Sequence, residues 1–258
     1  MEEAEVWPNS AANNYQNTSA YSKSFAEFLA HTNEKSVLTE RIAHLIKSTN
    51  TKSVLDIGAG NGEVSFPLAK LVDHYLAVEH KEDYARKLRD GGITVVQDTF
   101  PCTIDSKTDL VLISHSLPPL QTGDMGWELF LRTAFAQVAE GGRLALITFE
   151  DEASEWDTFV RGAGLEWHRT REERITPMMQ YLEQFGNVEK EIITTHVQTD
   201  TAAGLQKALA FVWSDGDEAH TNYFMQNEAV REYLEKNHAV EGGYSFPFHH
   251  YLLLVSKT

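Results

Sequence analysis

Val54-Leu55-Asp56-Ile57-Gly58-Ala59-Gly60-Asn61-Gly62 is the stretch whose reading decides the fold. The branched apolar run Val54, Leu55 and Ile57 has the composition of a buried parallel strand, and it stops abruptly in glycines at alternate positions. Glycines so placed let the backbone turn sharply and approach a ligand without Cβ atoms in the way, where a helix N-terminus is about to begin. Glu63, Val64, Phe66, Leu68, Ala69 and Leu71 then supply a first-turn acid and apolar positions for that helix.

A glycine turn after a strand also introduces dinucleotide-binding folds, but their fingerprint is G-x-G-x-x-G. Here the spacing is G-x-G-x-G, with Asp56 two residues before the first glycine. The D-x-G-x-G-x-G pattern resembles motif I of class I S-adenosylmethionine (SAM)-dependent methyltransferases, in which the loop backbone lies against the methionine part of SAM. The resemblance implies SAM as cofactor and Asp56, Gly58, Ala59, Gly60 and Gly62 as its first contacts. A nicotinamide or flavin is the competing reading of the same turn.

The chain has 258 residues, enough for one large α/β domain with a sizeable core. Its 38 acidic and 22 basic residues give a net charge of -16, which repels nucleic-acid phosphates and anionic membrane surfaces. Nucleic acid and membrane are therefore not expected as partners; a small-molecule substrate is, and an acidic surface mildly attracts a cationic one. Cys102 is the sole cysteine, so no intrachain disulfide can form, and Met1-Glu2-Glu3-Ala4-Glu5 has neither the basic nor the apolar region of a signal peptide. No run of eighteen or more apolar residues appears, and a cytoplasmic monomer or homodimer is expected.

Residues 1–20 are polar and read as a flexible arm. Tyr21, Phe25, Phe28 and Leu29 share a helical face, and Val37, Leu38, Ile42, Leu45 and Ile46 form a second stripe, so 21–50 reads as a helical lid. Tyr75-Leu76-Ala77-Val78-Glu79 is a second strand ending in an acid, placed to accept the hydroxyls of a ribose. Residues 81–89 read as a helix and 93–98 as a third strand. It ends at Asp98 and Thr99, where a carboxylate or neighbouring backbone can meet an adenine amine or serve only as a solvated turn.

Strand four, Asp109 to Ser114, is nearly all apolar, as expected mid-sheet. The loop after it, His115-Ser116-Leu117-Pro118-Pro119-Leu120, stands where open α/β sheets bind ligands. It does not carry the Asn/Asp/Ser-Pro-Pro-aromatic motif of amino methyltransferases, because Leu117 intervenes and Leu120 replaces the aromatic. Ser114 is a candidate cofactor contact. His115 is a substrate contact or weak base, or else a plain loop histidine. A helix over 126–138 leads to strand five at 143–149.

Helices are then expected at 155–162, from Thr176-Pro177, at 201–213 and at 227–237, with strand six at 191–199 and a last strand at 249–257. That last strand can return antiparallel beside strand six. The fold expected is α/β: a Rossmann-like class I methyltransferase fold with a seven-stranded, mostly parallel sheet, an antiparallel last strand, helices on both faces and an N-terminal helical lid. The methyltransferase domain spans 51–258, with substrate-pocket elements in 150–248. His249 and His250 are adjacent on a strand and point to opposite faces, and no other cluster has ligand spacing, so no metal is expected.

Residues 21–34, Tyr21-Ser22-Lys23-Ser24-Phe25-Ala26-Glu27-Phe28-Leu29-Ala30-His31-Thr32-Asn33-Glu34, resemble the opening helix of histamine N-methyltransferase. The likeness continues through the glycine loop, Val78-Glu79 and strand four, and less clearly into 189–199 and the final strand, about half the chain in all. It implies that Tyr21 and Phe25 wall a substrate, that Glu34 binds its amine, and that His115 and His250 stand at catalytic or contact positions where that family has Gln and Asn. With these departures, and with Pro118-Pro119 in place of an aromatic pair, histamine itself is not implied as substrate. The activity expected is methyl transfer from SAM to a small molecule, an amine or heterocycle, with Glu34, His115 and His250 as the catalytic set. Transfer or cyclisation of the aminocarboxypropyl arm of SAM, and a non-catalytic SAM-binding subunit, are the alternatives.

Overall fold

The structure is a computed structural model and describes residues 19–117, 126–149, 154–165, 175–214 and 217–257, with side chains from residue 23 onward. The polar arm, apart from its last two residues, and the segment Pro118-Pro119-Leu120 lie outside the described residues. So does the side chain of Tyr21. The chain forms two compact units, one of Met1–Glu34, Glu155–His168 and Thr195–Phe248, the other of Lys35–Ser154, Arg169–Thr194 and His249–Thr258.

The second unit holds the sheet. Strands β1 (Ser53–Ile57), β2 (His74–Val78), β3 (Thr94–Val96), β4 (Thr108–Ser114) and β5 (Val138–Phe149) run parallel. Next to β5 comes β8 (Gly243–Ser256), antiparallel to it, and then β6 (Val188–Thr199), in the order β3-β2-β1-β4-β5-β8-β6. Seven strands make this path, as expected; a two-residue β7 (Ala239–Val240) pairs only with the start of β8, within the other unit. This is the Rossmann-like methyltransferase topology, a mixed α/β sheet whose late strand returns antiparallel. Helices α2 (Glu34–Ser48), α3 (Ser65–Ala69), α4 (Glu82–Asp90), α5 (Trp127–Ala136) and α7 (Ile175–Leu182) accompany it.

Because side chains alternate across a strand, β1 feeds two cores. Leu55 and Ile57 join Val111, Ile113, Leu144, Leu146, Leu253 and Val255 on one face, under Phe130, Leu131 and Ala134 of α5 and Met178 and Leu182 of α7. Val54 joins Leu110, Leu112, Ala145, Ile147, Leu252 and Leu254 on the other, under the α2 stripe Leu38, Ile42, Leu45 and Ile46. Burial on both faces explains why these strands read as unbroken apolar runs and why period-two alternation is missing from them. It also leaves the carboxyl ends of β1, β2, β4 and β5 at one edge of the sheet, since the four are parallel.

The other unit is mainly helical: α1 (Ser19–His31), α6 (Glu155–Gly162), α8 (Ala202–Ser214), α9 (Glu218–Gln226) and α10 (Glu228–Asn237). Its core is aromatic, with Trp156 stacked on Phe248 at 5.8 Å and Phe28 edge-on to Phe248 at 6.1 Å. The buried amide of Gln206 on α8 donates to the carbonyls of Phe224 and Asn227 and so ties the end of α9 to it. Helix α9 was not expected from the sequence: its stretch is polar, and an Asp217 cap that accepts from the His220 amide starts it. The expected lid at 21–50 is shared between the units, with 21–34 in the helical one and 35–50 packed on the sheet. Leu71, expected among the apolar helix positions, is exposed because α3 ends at Ala69.

Leu112 lies at the middle of β4, fully buried between β1 and β5. Leu112→Ala is expected to cost about 2–5 kcal/mol in urea unfolding, the range for a leucine truncated in a packed core. A loss below about 1 kcal/mol would mean that this face of the sheet is not close-packed.

Candidate functional site at the carboxyl edge of the sheet

The glycine turn is held from three sides. Gly58 follows β1 with φ +77°, and its amide donates to the Val78 carbonyl at 2.8 Å. A Cβ at Gly58 would lie 2.3 Å from the Cβ of Ser116, whose hydroxyl donates to the Ile57 carbonyl at 2.5 Å. The loops after β1 and β4 therefore touch where a side chain would part them. Gly60 differs: with φ +59° and no atom within 4 Å of its would-be Cβ, it presents bare backbone to open space.

Two carboxylates fasten this turn. Glu79, nearly buried at the end of β2, accepts the amide of Gly60 at 2.8 Å through one oxygen and that of Lys81 at 2.8 Å through the other. Asp56 lies beneath, accepting the hydroxyls of Ser65 at 2.6 Å and Tyr75 at 2.7 Å on a single oxygen. Burial pushes the Asp56 carboxyl above its usual range and outweighs the two hydroxyls that pull it down; the charge of Glu79 adds to the rise. Burial, and then Asp56 itself, likewise push the Tyr75 phenol up. Asp56 thus ties β1 to β2 and to the residue that opens α3. Tyr75 and Ser65 were not singled out in the sequence, since only the register Val54↔Tyr75 shows that the phenol reaches under the loop.

At the ends of β4 and β5 the edge becomes aromatic. His115 adopts φ +53°, a left-handed backbone uncommon outside glycine, and its amide donates to the Ile147 carbonyl at 3.0 Å. Its ring lies 4.4 Å from that of Phe149 and 5.0 Å from that of His250, while Phe149 and His250 are 4.9 Å apart. His250 is entirely buried, on β8 directly across from Phe149. The hydroxyl of Ser114, one residue earlier, is buried with no hydrogen-bond partner among the described residues. Phe149, absent from the sequence-based candidates, completes this group.

Of the expected site residues, the structure brings Asp56, the glycine turn and Glu79 together at one end of β1 and β2, and Ser114, His115 and His250 at the same edge of β4 and β8. Asp98 and Thr99 are exposed, with the Asp98 carboxylate accepting the Thr99 amide at 2.7 Å. In the helical unit, Phe25 packs against Phe211 at 5.0 Å, and Glu34 is buried at 3% exposure, its amide donating to the Thr32 hydroxyl. His249 and His250 do diverge as adjacent strand residues must: His249 shares a hydrogen bond with Thr194 at 2.9 Å. What sequence spacing could not reveal is that His250 meets His115, 135 positions away, across β5.

Known proteins agree with this architecture. No protein-family pattern matches the chain. A protein-L-isoaspartate O-methyltransferase of Chromohalobacter salexigens is 27% identical over 158 residues, covering 54% of this chain, and the match spans 60% of that relative's length. The YcgJ protein of Bacillus subtilis is similar in fold, with TM-score 0.52 and 16% identity over 83% of this chain and 96% of its own. A magnesium protoporphyrin IX methyltransferase from Synechocystis with bound SAH has TM-score 0.53 and 12% identity, over 86% and 82%. A plantazolicin methyltransferase in complex with a pentazolic desmethylPZN analog and SAH has TM-score 0.53 and 10% identity, over 96% and 95%. At these identities the structural likenesses establish the fold.

The raised Asp56 carboxyl has a consequence for stability. A group whose folded pKa lies above its unfolded value stabilises most below the unfolded value, about 3.9 for Asp, and that stability is lost as pH rises through the folded pKa. Asp56→Asn removes this titration, so the stability difference between wild type and variant should move in the variant's favour as pH increases from about 4. Thermal unfolding of both across pH 4 to 8 measures it, at about those bounds; parallel profiles would contradict the assignment.

Proposed function

We propose that this chain is a SAM-dependent methyltransferase acting on a small molecule, most simply on a nitrogen of an amine or heterocycle. The observation that carries the reading is the Gly60 amide held by Glu79 beside a turn of bare backbone. The residues fit the cofactor. Each Glu79 oxygen accepts a backbone amide and keeps further lone pairs for ribose hydroxyls, Gly60 leaves room for close approach, and the orphaned Ser114 hydroxyl offers a polar contact at the same edge. Gly58 to Gly62 and Glu79 would hold the cofactor, with Asp98 and Thr99 toward its adenine; Asp56 supports them from below.

SAM, when bound, supplies an activated methyl group. The chain's own task is to bring a nucleophile within about 3–3.5 Å of the reacting carbon, exclude water and keep that nucleophile unprotonated. His115 and His250 stand at the carboxyl edge, where a neutral imidazole can take up a hydrogen bond or proton from the acceptor. Glu34, Tyr21 and Phe25 are assigned to the acceptor by their resemblance to the opening helix of histamine N-methyltransferase. The net charge of -16 favours a cationic or neutral small molecule over a nucleic acid. The relatives' own acceptors, a porphyrin and a modified peptide among them, belong to those proteins.

Incubation with methyl-labelled SAM and a host extract tests the activity. Label in a small product with release of S-adenosylhomocysteine is the expected outcome; methylthioadenosine would replace the reading by aminocarboxypropyl transfer. Once the acceptor is identified, Glu34→Gln should raise its KM about tenfold or more, the loss of one charge-assisted contact of about 1.5–3 kcal/mol, and leave SAM affinity unchanged. Equal loss of both would remove Glu34 from the acceptor's binding.

A further inference from the structure

We propose that His115 and His250 together form a binding site for a divalent transition-metal cation of the kind that imidazole favours, with Zn²⁺ the first choice. This goes beyond the cofactor reading and stands on the geometry of two rings.

A ring nitrogen of each histidine lies within 4.8 Å of one on the other. Two imidazole nitrogens on a tetrahedral zinc, each about 2.0–2.1 Å from it, are about 3.4 Å apart, so the two nitrogens must close by about 1.4 Å or less to share one ion. The rings meet at 69°, edge toward face, and are not stacked in parallel, so their in-plane lone pairs can converge. Neither ring is free to drift. His250 is fully buried on β8, in register with Phe149, and His115 is fixed by a left-handed backbone whose amide bonds to Ile147. A non-glycine residue held in that conformation persists at sites where side-chain placement matters.

Phe149 covers one side at 4.4 and 4.9 Å, and the group stands where β4 and β5 end. Imidazole suits zinc, copper, cobalt and nickel, whereas magnesium and calcium prefer oxygen ligands. Two imidazoles fill two of the four positions of a tetrahedral zinc and leave the rest for water or for a heteroatom of the acceptor. A lone pair committed to the ion cannot also take the acceptor's proton. Metal occupancy and direct proton acceptance by these histidines are therefore alternative states of one edge.

The test is calorimetric titration of chelator-treated full-length protein with ZnCl₂, with MgCl₂ as comparison, and Co²⁺ visible spectra to read coordination. Expected are one saturable zinc per chain, no magnesium binding at the same concentrations, and a tetrahedral cobalt spectrum. His115→Ala and His250→Asn should each weaken zinc by about a hundredfold or more, the upper end of what loss of a supporting partner around a metal costs. His249→Ala, on the opposite face, should leave it unchanged. Circular dichroism confirms that the variants fold, and the half-exposed His115 provides the safer of the two. No saturable zinc in the wild type, or zinc affinity that survives both substitutions in folded protein, would overturn the proposal. SAM titrated into the same samples separates the readings: SAM binding without zinc sinks this inference alone, and zinc without SAM sinks only the proposed function.

Discussion

The hydrogen bond from the Gly60 amide to Glu79 is the interaction on which the rest of the carboxyl edge depends. A turn made of glycines has no side chains with which to hold its own shape, and glycine loses more freedom on ordering than any other residue. The fold answers by clamping the turn from neighbouring strands: Glu79 from the end of β2, the Val78 carbonyl on Gly58, and Ser116 from the loop after β4. Asp56 works from below, and its cost is visible in a carboxyl that burial raises even with two hydroxyl donors. A backbone surface free of Cβ atoms, kept rigid by its surroundings, is the arrangement that preorganises a site for a flexible ligand.

Topology brings the second half of the edge to the first. In a purely parallel sheet every strand would leave its carboxyl end there and begin at the far side. Because β8 runs antiparallel to β5, a residue near the middle of a long strand, His250, comes to the same edge as His115, which follows β4. Phe149, at the end of the intervening β5, closes a triangle with the two rings at 4.4 and 4.9 Å. The late antiparallel strand thus delivers a side chain to the chemistry as well as completing the sheet.

The sheet was largely legible in the sequence because its signals are local. Apolar runs ending in glycine or in an acid mark β1 and β2, and the order of elements after β5 was enough to expect a returning antiparallel strand. Less legible was whatever depends on register or on distant segments. Asp56 read as a cofactor contact from its place in the motif, and only the pairing of Val54 with Tyr75 shows why it is turned beneath the loop. Polar α9 is less legible because a cap, a buried glutamine and the one buried ring of Phe224 hold it, without a full apolar stripe. The meeting of His115 and His250 is not legible in the sequence because the two lie 135 positions apart and their rings approach across β5.

Binding of the adenosyl cofactor is the most direct test of the central claim, that a bare turn steadied by Glu79 receives it. Isothermal titration of S-adenosylhomocysteine and of NADH into wild type and Glu79→Gln should show saturable binding of the first ligand only, weakened about tenfold or more in the variant by the loss of charge-assisted bonds. Retention of NADH in preference to S-adenosylhomocysteine, or an unchanged affinity in a folded Glu79→Gln protein, would contradict the account.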